Sequence, residues 1–138
     1  MTKLFIHYGI LLTILSCQAL KGGTGYGSMA GTTGVFEGNC MPSPGVAPCK
    51  PRPVSTTVFI TRKAKEFEWS LLIDSVVSDS NGLYNIRIFE GNYSLFLRDG
   101  NKIICTGYQC DPECHCSPVT IFADSVSLIN LNLDHANW

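Results

Sequence analysis

Residues 79–100, DSNGLYNIRIFEGNYSLFLRDG, alternate apolar and polar side chains between clusters of turn-forming residues. Tyr84 and Ile88 share one parity, so one face of this segment is predicted to be buried. Asn81 and Gly82 favour a hairpin turn between this strand and the preceding one, because both residues tolerate a positive φ. The pattern therefore predicts consecutive short β-strands that are joined by tight turns.

Strand patterns continue on both sides of this stretch. Residues 55–61 are β-branched and alternating, residues 70–78 are similar, and shorter runs follow at 102–106 and 119–123. No segment shows sustained helical periodicity, and turns recur about every 8–12 residues, which is typical of β-sandwiches. We therefore predict an all-β fold, a single antiparallel sandwich of about seven strands.

The last predicted strand, residues 125–134, changes phase along its length. Val126 and Leu128 share one parity, whereas Ile129 and Leu131 share the other. Side chains alternate strictly along a strand, so both sets cannot face the core of a regular strand. A β-bulge or bend is therefore predicted near Leu128 and Ile129.

The N-terminus has the features of an export signal. Lys3 precedes a mostly apolar run, residues 4–15, that is shorter than the roughly 20 residues of a membrane span. The run ends in Ile14-Leu15-Ser16-Cys17, which resembles the lipobox of bacterial lipoproteins. The resemblance implies that residues 1–16 are removed and that Cys17 is acylated. It places the protein in the bacterial cell envelope, at the outer membrane. An ordinary signal cut after Ala19, with secretion to the periplasm, is the alternative.

Composition divides the remainder of the chain in two. Residues 17–33 are rich in Gly, and we predict a flexible tether there because such a stretch buries too little to fold. Residues 34–138 form the predicted sandwich domain. The chain has 138 residues and a formal net charge of −1 at pH 7, so a single domain is expected and nucleic acid is not an expected partner.

Seven cysteines indicate an exported, disulfide-bonded domain. Assigning Cys17 to the lipid leaves an even number, and six cysteines predict a disulfide framework. The sequence leaves the pairing open, although Cys114 and Cys116 are not expected to bond each other because i and i+2 residues of a strand are too far apart. The predicted disulfide cysteines are Cys40, Cys49, Cys105, Cys110, Cys114 and Cys116.

A metal site is the alternative interpretation of the cysteine cluster. Thiolates and imidazole suit zinc or copper, although the spacing lacks the paired C-x2-C motifs of structural zinc sites. No cofactor is expected if the disulfides form. The candidate ligands are Cys105, Cys110, Cys114, His115 and Cys116.

The central stretch resembles carboxypeptidase regulatory-like domains, which are prealbumin-like (transthyretin-like) β-sandwiches. The chain matches their pattern D-x-N-G-x-Y-x-I followed by G-x-Y-x-L, and the resemblance covers roughly residues 33–134. It implies an accessory, non-catalytic module related to carbohydrate-binding sandwiches. A related purine-pathway hydrolase ends in Tyr-Arg-Gly-Ser, whereas this chain ends DHANW, so that activity is not implied. The residues that carry the motif are Asp79, Asn81, Gly82, Tyr84, Gly91 and Tyr93.

We predict a protein that binds or scaffolds and is not an enzyme. Beyond the signal, the only histidines are His115 and His135, and no nucleophile, base and orienting residue stand in a recognisable pattern. The expected partners are the membrane, through the lipid, and an envelope protein or a glycan. Alternative functions are periplasmic zinc or copper binding and carbohydrate binding through the aromatic rings of Trp69 and Trp138.

Overall fold

The computed structural model describes residues 25–138, in which the regular structure is β-strand apart from one 3-10 turn at Trp69–Leu71. None of the helical structure in these residues is long and apolar enough to cross a membrane. The strands are β1 (Tyr26–Asn39), β2 (Arg52–Pro53), β3 (Thr57–Arg62), β4 (Leu72–Val77), β5 (Leu83–Phe89), β6 (Gly91–Asp99), β7 (Lys102–Ile104), β8 (Tyr108–Cys110), β9 (Cys114–Cys116), β10 (Pro118–Ile121), β11 (Val126–Leu128) and β12 (Leu131–Asn137).

The first sheet is built around β1. Strands β5 and β2 pair with one edge of β1 in antiparallel orientation, and β11 and β12 pair with its other edge in parallel orientation. This sheet is therefore mixed and not purely antiparallel as predicted. Parallel pairing is possible because nearly the whole domain separates β1 from β11 and provides the long crossover that parallel neighbours require.

The second sheet is antiparallel and is built around β6. Strand β3 pairs with one edge of β6 and carries β4 on its outer side. Strands β7 and β10 share the other edge of β6. The β6–β7 hairpin turns at Gly100, whose φ is +60°, as the cluster of turn residues in this region predicts.

The two sheets enclose one main hydrophobic core, so the predicted all-β sandwich is confirmed. Alternate side chains of each strand point inward, as the parity of the sequence requires. Burial of these side chains supplies the main favourable term in folding. The core residues are Met29, Val35, Val58, Ile60, Tyr84, Ile88, Tyr93, Leu95, Leu97, Val119, Ile121, Leu131 and Leu133.

The turn at residues 79–82 forms as predicted, but the predicted hairpin is wrong. The Asp79 carboxylate accepts hydrogen bonds from the Asn81 and Leu83 amides at 2.9 Å, and Gly82 has a φ of +73°. The strands on either side lie in different sheets, because β4 pairs with β3 and β5 pairs with β1. Local sequence specifies the turn, whereas the need to bury the apolar faces of both strands decides their pairing.

The predicted tether is wrong for the residues that the structure describes. Strand β1 begins at Tyr26, so residues 26–33 belong to the sandwich and the domain does not begin at residue 34. Gly27 and Gly31 lack a side chain for a packing reason, since a Cβ at these positions would overlap the carbonyl oxygens of Phe122 and Ile129. Residues 17–24 of the predicted tether, and the predicted signal, lie outside the described residues.

The last predicted strand is interrupted where its pattern changes phase, since β11 ends at Leu128 and β12 begins at Leu131. The predicted bulge is wrong. Ala30 pairs with Leu128 and Thr33 pairs with Leu131, so the same residue offset holds on both sides of the break. No extra residue is inserted. Val126 and Leu128 are 62% and 78% exposed, so these two apolar side chains face solvent and not the core.

Candidate binding groove beside Trp138

The predicted disulfide framework is present and its pairing is now defined. The bonds are Cys40–Cys49, Cys105–Cys116 and Cys110–Cys114. Cys114 and Cys116 are not bonded to each other, as predicted. Structural disulfides are characteristic of proteins outside the reducing cytosol, so the pairing indicates an extracellular or envelope environment. The predicted acylation residue, Cys17, lies outside the described residues.

The disulfides argue against the alternative metal site. A sulfur in a disulfide is not a thiolate, so Cys105, Cys110, Cys114 and Cys116 offer no metal ligand while both bonds are intact. His115 remains, with its Nε2 atom 4.0 Å from the Glu113 carboxylate. Within residues 25–138, no group of three or more His, Cys, Asp or Glu side chains is arranged to hold a metal ion.

Two of these disulfides build a β-ribbon from β8 and β9, which we call the ribbon (residues 105–117). Cys105–Cys116 closes its base, and Cys110–Cys114 closes its tip. Cys116 is fully buried on the outer face of the second sheet, where it packs in a cluster with Phe59 and Phe96. The ribbon base is therefore part of a second small core.

Backbone hydrogen bonds also fix the ribbon base. The Cys116 amide donates to the Ala64 carbonyl at 2.8 Å, and the Ser117 amide donates to the Gly107 carbonyl at 2.8 Å. Buried backbone groups require such partners, because an unpaired one costs about 1–3 kcal/mol. The position of the ribbon is thus set by covalent, apolar and hydrogen-bonding contacts together.

A groove of about 620 Å³ lies between the ribbon and the last strands of the first sheet. We call it the Trp138 groove. Its size falls within the range of about 300–1,000 Å³ that is usual for small-molecule sites. The side chains that matter for its chemistry are Phe36, Tyr108, Gln109, Asn130, Asn132 and Trp138.

Trp138 is exposed but is held in one place. Its Nε1 atom donates to both carboxylate oxygens of Asp134 at 2.9 Å, and its ring meets the Phe36 ring edge-on at a centroid distance of 5.7 Å. The preceding residue, Asn137, accepts a hydrogen bond from the Cys40 amide at 2.8 Å. The Trp138 ring therefore presents a flat aromatic surface to solvent, and its side chain would lose little rotamer freedom if a ligand bound to it.

Amide side chains supply the polar part of the groove. Asn130 Oδ1 accepts a hydrogen bond from the Thr32 amide at 3.0 Å, which leaves its Nδ2 group without a bond among the described residues. The side chains of Asn132 and Gln109 form no hydrogen bond within residues 25–138 either. Because side chains alternate along β12, Asn132 and Asp134 share one face, and Asn130, which lies just before β12, lines the same groove.

A second, smaller cavity of about 340 Å³ lies on the other side of Trp138. It is formed by the Cys40–Cys49 loop, including Met41 and Val46. Trp138 therefore stands between the two disulfide-closed segments of the molecule.

The residues of the family turn motif do not reach the groove, and they support the sandwich. Tyr84 Oη donates to the Ile129 carbonyl at 2.7 Å, and Tyr93 Oη donates to the Phe89 carbonyl at 2.7 Å. Burial raises the pKa of Tyr84 to about 12 and also raises the pKa of Tyr93. Gly91 adopts a φ of +155° at the crossing between the sheets.

The two tryptophans that were predicted as sugar-stacking residues lie in different environments. Trp69 packs on the outer face of the second sheet, against Phe59 and Phe67 at centroid distances of 5.9 and 4.9 Å. Trp138 lines the groove. No sequence motif marks the other groove residues Tyr108, Gln109, Asn130 and Asn132. The one signal for them is the alternation of polar Asn130, Asn132 and Asp134 with apolar residues at the end of the chain, which is typical of a strand with a polar face.

The histidines do not line the groove. His135 Nε2 lies 2.9 Å from the Asp99 carboxylate, and this hydrogen bond and the negative charge of Asp99 raise the pKa of His135. The pair joins β12 of the first sheet to the β6–β7 turn of the second. Its role is therefore to link the sheets at the surface.

Comparisons with known proteins add little to this description. No family model and no curated protein matches the chain. It is similar to the crystal structure of GBS52, the minor pilin in the gram-positive pathogen Streptococcus agalactiae, with 13% identity and a TM-score of 0.43 over 80% of this chain and 44% of the pilin. It is also similar to a leucine-rich repeat protein from Bacteroides thetaiotaomicron, with 13% identity and a TM-score of 0.39 over 81% of this chain and 12% of that one. The chain thus spans less than half of either protein, and neither similarity assigns a function to it.

The resemblance to carboxypeptidase regulatory-like domains stays a prediction.

Proposed function

We propose that the protein is a lipid-anchored, non-catalytic binding module of the bacterial cell envelope. The acyl chains are carried by Cys17, and the ligand is held in the Trp138 groove. The membrane is one partner, and an envelope protein or a glycan is the other. The outer membrane is the proposed location, and secretion to the periplasm is the alternative.

The observation that carries the proposed anchor is the pairing of the cysteines. The six cysteines of residues 25–138 pair with one another, so Cys17, the seventh, has no cysteine of this chain left as a partner. A thioether-linked lipid accounts for this remaining thiol. The apolar run and Ser16 before Cys17 support the same conclusion, and two or more acyl chains hold a protein stably at a bilayer.

The start of β1 limits how far the domain extends from an anchored Cys17. The segment from Cys17 to Tyr26 spans at most roughly 30 Å when fully extended, at about 3.5 Å per residue. The predicted tether to residue 33 would have allowed a longer reach. The proposed anchored domain therefore works close to the membrane surface.

The Trp138 groove supports the binding part of the proposal. A fixed, exposed aromatic ring and amide groups with hydrogen-bonding capacity left unused within residues 25–138 converge on one concave surface. Such a combination is characteristic of ligand sites, because the aromatic ring supplies contact area and the polar groups supply specificity.

Intact mass and detergent partitioning test the anchor. The wild-type protein and Cys17→Ser are expressed in a Gram-negative bacterium and divided between the detergent and aqueous phases. We expect wild type to enter the detergent phase with the mass of an acylated chain that begins at Cys17, and Cys17→Ser to remain aqueous or unprocessed. A wild-type chain of unmodified mass in the aqueous phase would contradict the proposal and favour simple secretion.

A further inference from the structure

We propose that the Trp138 groove binds an uncharged glycan. Sugar rings stack on Trp138 and Tyr108, and sugar hydroxyls bond to Gln109, Asn130 and Asn132. This assignment rests on the proposed binding function and specifies its ligand.

The aromatic rings provide the stacking surface. Trp138 and Tyr108 both line the groove and are 58% and 54% exposed. The C–H face of a pyranose ring is flat and apolar, so it packs well on an exposed aromatic face. Such rings contribute large contact area at low entropy cost, because only two side-chain torsions are restricted. The hydrogen bonds to Asp134 already restrict the torsions of Trp138, so ligand binding would remove little further side-chain entropy there.

The amide groups match the chemistry of sugar hydroxyls. A hydroxyl both donates and accepts hydrogen bonds, and a side-chain amide offers two donors and an acceptor. Asn132 and Gln109 offer all of these groups, and Asn130 offers its Nδ2 donors. Three amides along one groove can therefore bond to successive hydroxyls of a saccharide.

The charge of the groove favours a neutral ligand. Within the described part of the chain, no Lys or Arg lines the groove. The one carboxylate of the lining, Asp134, is bonded to Trp138. An anionic polymer would find no counter-charge and would meet a negative one, so an anionic glycan, a phosphate or a nucleic acid is disfavoured.

Titration of the detergent-solubilised full protein with oligosaccharides tests this assignment. The probes are cellohexaose, chitohexaose, maltohexaose and mannohexaose, with an anionic oligogalacturonate for comparison. Calorimetry gives the affinity. Fluorescence in Trp69→Phe, where Trp138 is the remaining tryptophan, reports the site.

Two matched variants distinguish binding in the Trp138 groove from binding elsewhere on the surface. Trp138→Ala is compared with Trp69→Ala, because Trp69 is similarly exposed, at 65%, on the opposite sheet. We expect Trp138→Ala to raise the Kd for the bound neutral glycan about tenfold or more, and Trp69→Ala to leave it unchanged. Asn132→Leu, which keeps the aromatic surface, is also expected to weaken binding.

Three results would overturn the assignment: no binding of any of the four neutral probes, equal binding by wild type and Trp138→Ala, or tighter binding of the anionic oligomer. Trp138 is 58% exposed and belongs to neither apolar cluster, so its replacement leaves the core intact. Acylation is measured by mass, so failure of glycan binding is distinguishable from failure of the proposed anchor.

Discussion

Two disulfide-closed segments flank Trp138, and they are built in opposite ways. The ribbon is closed by Cys105–Cys116, and Cys116 is buried in an apolar cluster with Phe59 and Phe96. The Cys40–Cys49 loop follows the end of β1, and its residues 41–48 are exposed. The first crosslink belongs to an apolar cluster, whereas the second joins Cys40, which is buried but belongs to neither cluster, to an exposed loop.

The difference shows that a disulfide's role depends on what surrounds it. The two bonds enclose similar numbers of residues, with sequence separations of 11 and 9. Loop entropy therefore predicts nearly equal stabilisation for both. The apolar contacts of Cys116 are an additional contribution, so a measured difference between the two bonds would report how far the ribbon belongs to the core.

Loss of the ribbon-base bond is expected to have the largest effect. Cys105→Ala combined with Cys116→Ala removes about 3 kcal/mol of loop-entropy stabilisation and about 1 kcal/mol of buried contacts, so the free energy of unfolding falls by about 4 kcal/mol. Urea unfolding measures this change. A loss smaller than that of the Cys40–Cys49 pair would show that burial of Cys116 adds nothing to the stability of the ribbon.

Loss of the Cys40–Cys49 bond is expected to cost less. Cys40→Ala combined with Cys49→Ala lowers the free energy of unfolding by about 2.5 kcal/mol, because loop entropy is the main contribution and Cys40, although buried, belongs to neither apolar cluster. The same urea titration gives the value. The loop and Trp138 line the same cavity, so a change in Trp138 fluorescence should accompany the loss, and unchanged fluorescence would show that the loop does not affect the surroundings of Trp138.

The bond at the ribbon tip provides a control within one segment. Cys110 and Cys114 are separated by four positions and lie at the exposed end of the ribbon. Their double replacement by Ala should lower the free energy of unfolding by about 2 kcal/mol or less. An effect as large as that of the base bond would show that the tip, and not the base, holds the ribbon.

The smallest effect is expected from the exposed pair of His135 and Asp99. Their contact raises the pKa of His135 above its ordinary value of 6.5. The stabilisation is therefore complete below the unfolded-state pKa and is lost as the pH rises through the higher folded-state value. NMR titration of His135 in wild type and Asp99→Asn measures the shift, and equal pKa values in the two proteins would refute the contact.

The fold class was predictable because it depends on local parity. Tyr84 and Ile88 on one strand, and Leu95 and Leu97 on another, are buried as alternation requires. The pairing of the strands was not predictable, since the turn at Asn81-Gly82 suits a hairpin and a sheet crossing equally well. Which of the two forms depends on how the apolar faces meet in three dimensions.

Glycine was the main source of error at the start of the domain. Gly27 and Gly31 suggested flexibility, but they allow the backbone of residues 122–129 to approach β1 closely. This requirement comes from a distant segment and leaves no local signal. The groove was missed for the same reason, because Tyr108 and Asn132 lie far apart in the sequence and meet only in the folded chain.

Hydrogen exchange tests most directly whether the ribbon is part of the core and holds the Trp138 groove in a preformed shape. The amides to compare in the oxidised protein are those of Cys116 and Ser117, which bond to Ala64 and Gly107, and that of Val46, which bonds to Ser43 at 3.2 Å in the exposed loop. We predict that the Cys116 and Ser117 amides exchange as slowly as those of the sandwich core, and that the Val46 amide exchanges orders of magnitude faster. Fast exchange at Cys116 and Ser117 would contradict a preformed groove, because the ribbon would then open independently of the sandwich.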